Sequence, residues 1–424
     1  MVKAQKIPDG YRATEAGILP VDWQVKRLSE VAIELTERAG QDKYETVSIS
    51  AGIGFVNQAE KFGKELSGKQ YEKYIVLHQG DFSYNKGNSK TFPQGCIYRL
   101  NDRETAAVPN VFESFRIEDQ DADYYEQLFL SGFLNKQLYS KINRGVRDDG
   151  LLNLTGEDFY SCMVPVPPIA EQKKIAKILT QWDAIIQIHS DLVEQLETIK
   201  RVYCDLLFPQ KQSESPKIHF GKFSEPWMEH KLYDITQKIG SGKTPSGGRS
   251  TYVDMGIPLL RSQNIANNQV NMDDVVYIDS ETDEEMKNSR VQFGDVLLNI
   301  TGASIGRSAV YRKETAANVN QHVCIIRPKQ GFVPEFIQLL LSSSEGQRKI
   351  TLNQAGGGRQ GLNFYQIGEM TFRFPSKSEQ EYISKFIESV ERYHILYNEK
   401  LHELREQKTG LMKLLLTGSV RVKP

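Results

Sequence analysis

The sequence lacks most of the features that mark catalytic, secreted or membrane proteins. Its four cysteines, Cys96, Cys162, Cys204 and Cys324, form no Cys-x-x-Cys pair, so neither a disulfide framework nor a zinc ribbon is indicated, and no metal site is expected. No apolar run approaches the roughly 20 residues needed to cross a bilayer, so no membrane association is expected. The opening Met-Val-Lys-Ala-Gln-Lys lacks the apolar centre of a signal peptide, which makes a cytoplasmic location the expectation. There is no Gly-x-Ser-x-Gly for an acyl nucleophile, and no Asn-Pro-Pro-Tyr or Asp-Pro-Pro-Tyr to hold an adenine. Excess charge is missing too: 53 Lys and Arg face 54 Asp and Glu, a formal net charge of -1. A lone nucleic-acid-binding domain usually has a pI above about 9. A nucleic-acid role here therefore needs clustered cations or phosphate contacts from partner subunits.

What is present is a duplication. A chain of 424 residues has length for two or three domains, each with its own core. The stretch from Pro167 to Phe208 returns from Pro375 to Leu416: Glu171-Gln172 falls on Glu379-Gln380, Leu196 on Leu404, and Leu206-Leu207 on Leu414-Leu415. Earlier anchors repeat as well, Trp23 to Leu28 on Trp227 to Leu232 and Gly80-Asp81 with Asn85 on Gly294-Asp295 with Asn299. The spacing between anchors changes from copy to copy, whereas the last stretch keeps register. One scaffold carrying two sets of rewritten loops is the pattern of one architecture reading two ligands.

The repeated stretch reads as a long helix. Ile175, Ile178, Trp182, Ile185, His189, Leu192, Leu196, Ile199 and Tyr203 follow alternating steps of three and four, a heptad seam sustained far enough to predict a coiled coil roughly 55 Å long. In the second copy Ile383, Phe386, Val390, Leu401, Leu404 and Leu411 carry the seam, with a stutter after Tyr397. The natural partner of each helix is the other, in antiparallel sense. The expected organisation is one globular domain over 1–170, a helix over 171–208, a linker over 209–221, a second globular domain over 222–378, a helix over 379–416 and a tail over 417–424. Both globular domains mix short β runs, such as Tyr74 to Leu77, Asp81 to Tyr84, Val296 to Ile300 and Val323 to Ile326, with short helices at Asp123 to Leu138 and Glu335 to Ser344. The predicted class is α+β with a pseudo-twofold internal repeat.

Several patterns imitate catalytic motifs without completing them. Gly240-Ser-Gly-Lys-Thr244 resembles the end of a P-loop, but Gln237 stands where the first glycine belongs and Pro245 follows where a helix must start. Asp274 with Glu285-Met-Lys287 has the outline of a metal-dependent nuclease core inside an acidic, solvent-facing run. Binding chemistry is better represented. Tyr84, Lys86, Asn88 and Lys90 combine an aromatic ring and donors on a glycine-containing loop, as phosphate and base-edge contacts require. Arg144 and Arg147 in Asn143 to Asp149, and Arg359, Gln360 and Asn363 in Ala355 to Asn363, occupy matched places before the last strand of each copy.

These residues together resemble the specificity subunits of type I restriction-modification systems. The resemblance rests on Ile18-Leu-Pro-x-x-Trp23, on Gly242-Lys-Thr-Pro-Ser246 with Gly256-Ile-Pro258 and Arg261, on the two Pro-x-x-x-Glu-Gln-x-x-Ile helix entries, and on Gln407 to Gly418. It implies a subunit that is not itself an enzyme, with two target recognition domains reading a bipartite, asymmetric site in double-stranded DNA. It further implies two methyltransferase subunits docked on the helices, with restriction-translocase subunits beyond them in a phage-defence complex. S-adenosylmethionine, ATP and Mg would bind those partners. Lys243, Thr244, Arg261 and Arg307 join the expected DNA contacts in the second domain. A coiled-coil scaffold and a self-contained DNA-modifying enzyme are the competing readings.

Overall fold

A computed structural model describes residues 7–63, 68–87, 91–142, 152–208, 217–218, 220–221, 223–354 and 361–422. The chain divides into two compact units, Met1–Ser190 with Glu399–Pro424, and Asp191–Asn398. Both boundaries fall inside the long helices Ile169–Leu207 and Lys377–Leu416. Each unit thus owns one globular domain and half of each helix.

The centre of the first unit is an antiparallel sheet of β1 (Ala32–Glu34), β2 (Phe82–Asn85), β3 (Cys96–Arg99) and β4 (Glu113–Ile117), in the order β1-β4-β2-β3. The second unit repeats it with β5 (Thr236–Ser241), β6 (Val296–Asn299), β7 (Ser308–Val310) and β8 (Val323–Pro328), in the order β5-β8-β6-β7. The strand order is the same, so the duplication read in the sequence is a duplication of topology. The repeated Gly-Asp anchor now has its reason. Asp81 is fully buried, takes the N–H of His78 at 2.8 Å, and receives Arg116 of β4 through Nε at 2.7 Å and Nη2 at 2.9 Å. Asp295 takes the N–H of Gln292 at 2.7 Å and Arg327 of β8 through Nε at 2.7 Å and Nη2 at 2.8 Å. A carboxylate this deep is tolerated because a turn N–H and a bidentate guanidinium satisfy it.

A two-stranded pair closes each sheet domain onto its helix: Gln24–Arg27 with Met163–Val166, and Met228–Lys231 with Thr371–Phe374. The chain then enters the long helix through Glu-Gln. Gln172 donates to the carbonyl of Pro167 at 2.7 Å and accepts from the N–H of Asp121, the N-cap of the short helix Ala122–Leu130, at 3.0 Å. Gln380 does the same, donating to Pro375 at 2.9 Å and accepting from Val333, which precedes the helix Pro334–Ser342, at 2.9 Å. One amide ties the start of the short helix to the start of the long one.

The helix halves pack antiparallel within each unit. In the first, Ile175 and Leu179 share a core with Trp23, Met412, Leu415 and Leu416, and Lys408 reaches Asp183 at 2.5 Å. In the second, Tyr203 meets Phe386 edge-on with ring centroids 4.8 Å apart, and Lys200 pairs with Glu391 at 2.5 Å. Seam residues Ile175, Ile383, Val390, Leu401 and Leu404 are buried, and Ile178, Trp182, Leu192, Leu196, Phe386 and Leu411 are half-buried. Ile185 departs from the expected seam: it is 41% exposed, although the heptad count places it in an apolar layer. The predicted helix from Asp123 to Leu138 is two pieces, Ala122–Leu130 and Asn135–Lys141, because Gly132 between them takes the left-handed conformation at φ 72°.

The tail of the second long helix locks the first unit. Arg421 grips buried Glu171 through Nε and Nη2, both at 2.8 Å, and Asp22 at 2.9 and 2.7 Å, while Trp23 Nε1 donates to Glu171 at 3.0 Å. Removing the guanidinium strands a carboxylate that the core encloses; the half-open Arg421 moderates the loss. Arg421→Ala is expected to lower the stability of the first unit by about 1–3 kcal/mol. Leu404→Asp, which puts a charge in a buried layer, is expected to lower it by at least as much. Urea unfolding followed by tryptophan fluorescence measures both, and wild-type midpoints would contradict these packing roles.

Candidate nucleic-acid interface

In both units the loops that differ between the copies gather at one end of the sheet. In the first unit this end carries the chain leaving β1, the turn after the strand Val47–Ser50, the β2–β3 loop from Asn85, and the approach to β4. In the second it carries the chain leaving β5, the segment after Ile257–Leu260, the β6–β7 loop and the approach to β8. A leucine near the end of each glycine-containing segment is tied in at the matched place, Leu152 N–H to Lys86 O at 2.9 Å and Leu362 N–H to Ile300 O at 2.9 Å. The two segments predicted to be equivalent therefore lead to equivalent backbone contacts with the sheet.

The sequence-predicted contact residues separate into distinct groups here. Asn88, Lys90, Arg144, Arg147, Arg359 and Gln360 lie outside the described residues. Tyr84 is corrected: it is fully buried, its ring stacks on Phe159 at 4.7 Å, and its hydroxyl donates to the carbonyl of Gln94 at 2.8 Å. Burial pushes its phenol well above the ordinary range. It forms the floor beneath the loop and presents no face to a ligand. Lys86 is also corrected, since its ammonium is drawn inward to Glu113 at 2.8 Å with both side chains 14% exposed. Asn363 is exposed and its oxygen serves a helix cap, Oδ1 accepting from Gln366 N–H at 2.8 Å while Gln366 Oε1 accepts from Asn363 N–H at 3.0 Å. Thr155 and Asp158 make the corresponding capping box in the first unit. Isolated loop chemistry overlooked these uses because each depends on a neighbour.

Of the second unit's other candidates, Lys243, Thr244 and Arg307 are exposed and Arg261 is half-buried. Arg307 is exposed in the β6–β7 loop, and Lys243 is exposed with its ammonium 3.7 Å from Glu285. Arg261 is anchored through Nη2 to the carbonyl of Asp274 at 3.0 Å. Thr244 donates to Gln321 Oε1 at 2.6 Å, and the amide nitrogen of Gln321 lies 2.9 Å from His322 Nε2, itself linked through Nδ1 to Thr301 at 2.5 Å. Gln321, His322 and Thr301 escaped sequence reasoning, because Asn-Gln-His has no motif value until β5 and β8 bring it beside Thr244.

The catalytic look-alikes among the described residues are incomplete. The P-loop look-alike leads from β5 into a loop and a short 3-10 turn at Gly248–Thr251, with no α-helix N-terminus to receive phosphate. Asp274 is engaged by Arg261 and Gln263, and no group of three or more His, Cys, Asp or Glu able to hold a metal occurs among the described residues. Burial pushes the thiols of Cys96, Cys162 and Cys204 up to about 11 and that of Cys324 up to about 12, so none resembles an activated nucleophile.

The family model for the type I restriction modification DNA specificity domain matches the chain twice, over residues 20–198 and 224–406. The chain belongs to this family. Both matches run from the globular domain into its helix, and together they span most of the sequence. This specificity subunit resembles the putative type I restriction enzyme MjaX specificity subunit of Methanocaldococcus jannaschii, at 22% identity over 98% of this chain and 97% of that one. It also resembles the EcoBI specificity subunit of Escherichia coli, at 25% identity over 72% of this chain and 67% of the relative. Among solved structures, the type I restriction-modification S subunit from M. genitalium shares the fold, with a TM-score of 0.57 at 14% identity, covering 97% of this chain and 98% of that one. A chain from a study of complex assembly in a type I R-M system does so with a TM-score of 0.53 at 15% identity, covering 95% and 99%. Membership makes the protein a DNA-recognition subunit rather than a catalyst. Among the described residues, no helix is long and apolar enough to cross a membrane.

For the specificity subunit, a floor residue and a reading residue respond differently to substitution. Tyr84→Phe removes one buried hydroxyl bond, and is expected to cost the first unit about 0.5–1.5 kcal/mol of stability with no change in DNA sequence preference. Thermal unfolding paired with binding to substituted duplexes checks this, and altered preference would return Tyr84 to the interface.

Proposed function

We propose that this subunit reads a bipartite, asymmetric site in double-stranded DNA, one half-site per specificity domain, for a type I complex of two methyltransferase subunits and restriction-translocase subunits. The observation that carries the reading is the convergence, in both units, of copy-specific loops at the same end of an identically ordered sheet. A constant framework with divergent loops is what two unlike half-sites call for. Exposed Lys243 and Arg307 offer phosphate contacts at that end of the second domain. The formal net charge of -1 leaves much of the phosphate neutralisation to partners. Base methylation requires a base to leave the stack, work that falls to the methyltransferase subunits with their S-adenosylmethionine. ATP and Mg belong to the translocating subunits.

The long helices supply the surface for those partners. Ile185 and Ile188, 41% and 65% exposed, stand on the helix half of the first unit; Ile395 and Leu396, 43% and 55% exposed, stand on that of the second. Apolar side chains left open on helices whose other faces are packed suit a protein partner.

Mapping methylated adenines in host DNA identifies the site. Exchanging residues 222–378 for those of a relative with another specificity is then expected to change one half-site and leave the other intact. Joint alteration of both half-sites would refute the assignment of one reader per domain. Ile185→Asp, at an exposed position, is expected to leave unfolding unchanged while weakening co-purification with the methyltransferase subunit at least tenfold. Undiminished assembly in a pull-down titration would remove this helix face from the partner interface.

A further inference from the structure

We propose that Gln321 is the adenine-reading side chain of the second specificity domain, and that Thr244 and His322 are positioning residues that lock its amide. The inference rests on the DNA-reading role assigned above and extends it to a particular residue and base.

The geometry begins with a close backbone approach. A Cβ on Gly242 would lie 1.7 Å from the carbonyl oxygen of Val319, so only glycine lets the chain leaving β5 pass this close to the approach to β8. Gly242 N–H bonds to Asn320 O at 3.3 Å, and two residues later Thr244 stands beside Gln321. The loop holding Gln321 is itself fixed: Asn320 Oδ1 accepts from His322 N–H at 3.0 Å, and the carbonyl of His322 accepts from Ile300 N–H at 3.0 Å. A hydrogen-bonded chain then runs across the surface from Thr244 to Gln321 at 2.6 Å, to His322 at 2.9 Å and to Thr301 at 2.5 Å. An exposed glutamine ordinarily samples many rotamers. This one is held from both sides.

Thr244 donates to Oε1 and Nε2 donates to His322 Nε2, which puts the imidazole proton on Nδ1 toward Thr301, so one lone pair of Oε1 and one hydrogen of Nε2 are occupied. One acceptor site on Oε1 and one N–H on Nε2 remain on an exposed amide. That pair matches the N6 donor and N7 acceptor of adenine in the major groove, the pairing that glutamine makes in bidentate fashion. Arg307 and Lys243 at the same end of the sheet contribute charge toward the phosphates, which sets position without reading sequence. Pre-ordering removes rotamer entropy that a free glutamine would lose on binding. Thr244 and His322 thus act on the DNA only through Gln321.

The test uses the full-length subunit assembled with its methyltransferase subunits, and duplexes carrying each single base-pair substitution of the mapped site. Gln321→Ala is expected to weaken binding to the cognate duplex roughly 10- to 100-fold and to relax discrimination at one A·T pair in the second domain's half-site. Discrimination in the other half-site is expected to stay as in wild type. Replacing that adenine by 7-deazaadenine removes the N7 acceptor, and is expected to weaken the wild-type complex by a similar factor while leaving Gln321→Ala unaffected. This arm needs no variant to fold for its wild-type half. Thr244→Val is expected to relax the same base pair by a smaller factor, and Thr244→Ser to restore it, a rescue that a purely structural threonine would not give. Unchanged discrimination by Gln321→Ala at every A·T pair, relaxation at a G·C pair, or uniform weakening on all sequences would overturn the assignment. If the wild-type complex shows no sequence-dependent binding, the function proposed above falls and this inference with it; a specific wild type beside an unaffected variant overturns this inference alone.

Discussion

The structure depends on one amide placed at the entry of each long helix. Gln172 and Gln380 satisfy an otherwise unpaired N–H at the start of a short helix and the carbonyl of the proline before the long one. Both glutamines are buried, so neither bond has water as a substitute. The orientation of each globular domain on its own stretch of helix is thereby set by a contact that tolerates little variation. This is why the glutamine survives in both copies while the loops around it do not.

A second constraint lies inside the sheet. Asp81 with Arg116, and Asp295 with Arg327, place a bidentate ion pair at the turn opposite the end where the variable loops gather. Buried ion pairs of this kind contribute more to the choice of one arrangement than to net stability. Here they join the turn before the second strand of each sheet to the neighbouring strand, fixing the register that carries the loops. Variation is concentrated at the opposite end, where backbone groups reach water and side chains are released from packing. The framework and the reading surface are thus kept apart along the strands, and loop change leaves the core alone.

Much of the fold was legible in the sequence because repetition is evidence that survives ignorance of any one residue. Matched tryptophans, Gly-Asp turns and helix entries predicted two copies of one α+β domain, and the heptad steps predicted helices whose lengths, 39 and 40 residues, match the stretch that repeats. The candidate site was less legible. Tyr84 and Lys86 sit in a loop that looks like a ligand-binding turn, yet one packs on Phe159 and the other neutralises Glu113. Asn363 has the amide of a base reader and turns its oxygen to a helix N-terminus. Ile185 obeys the heptad and still faces outward, because the seam read from periodicity does not say which partner covers each layer.

The sequence by itself determined the class of protein, its internal repeat and the places where the copies diverge, since these are recorded in residue spacing and in the kinds of residue retained. Only the tertiary structure decided which polar side chains are free to act. Whether an amide or an ammonium faces a ligand depends on what lies within about 3 Å of it. For Gln321 that neighbour is Thr244, distant along the chain and brought close where Gly242 lets β5 and β8 converge.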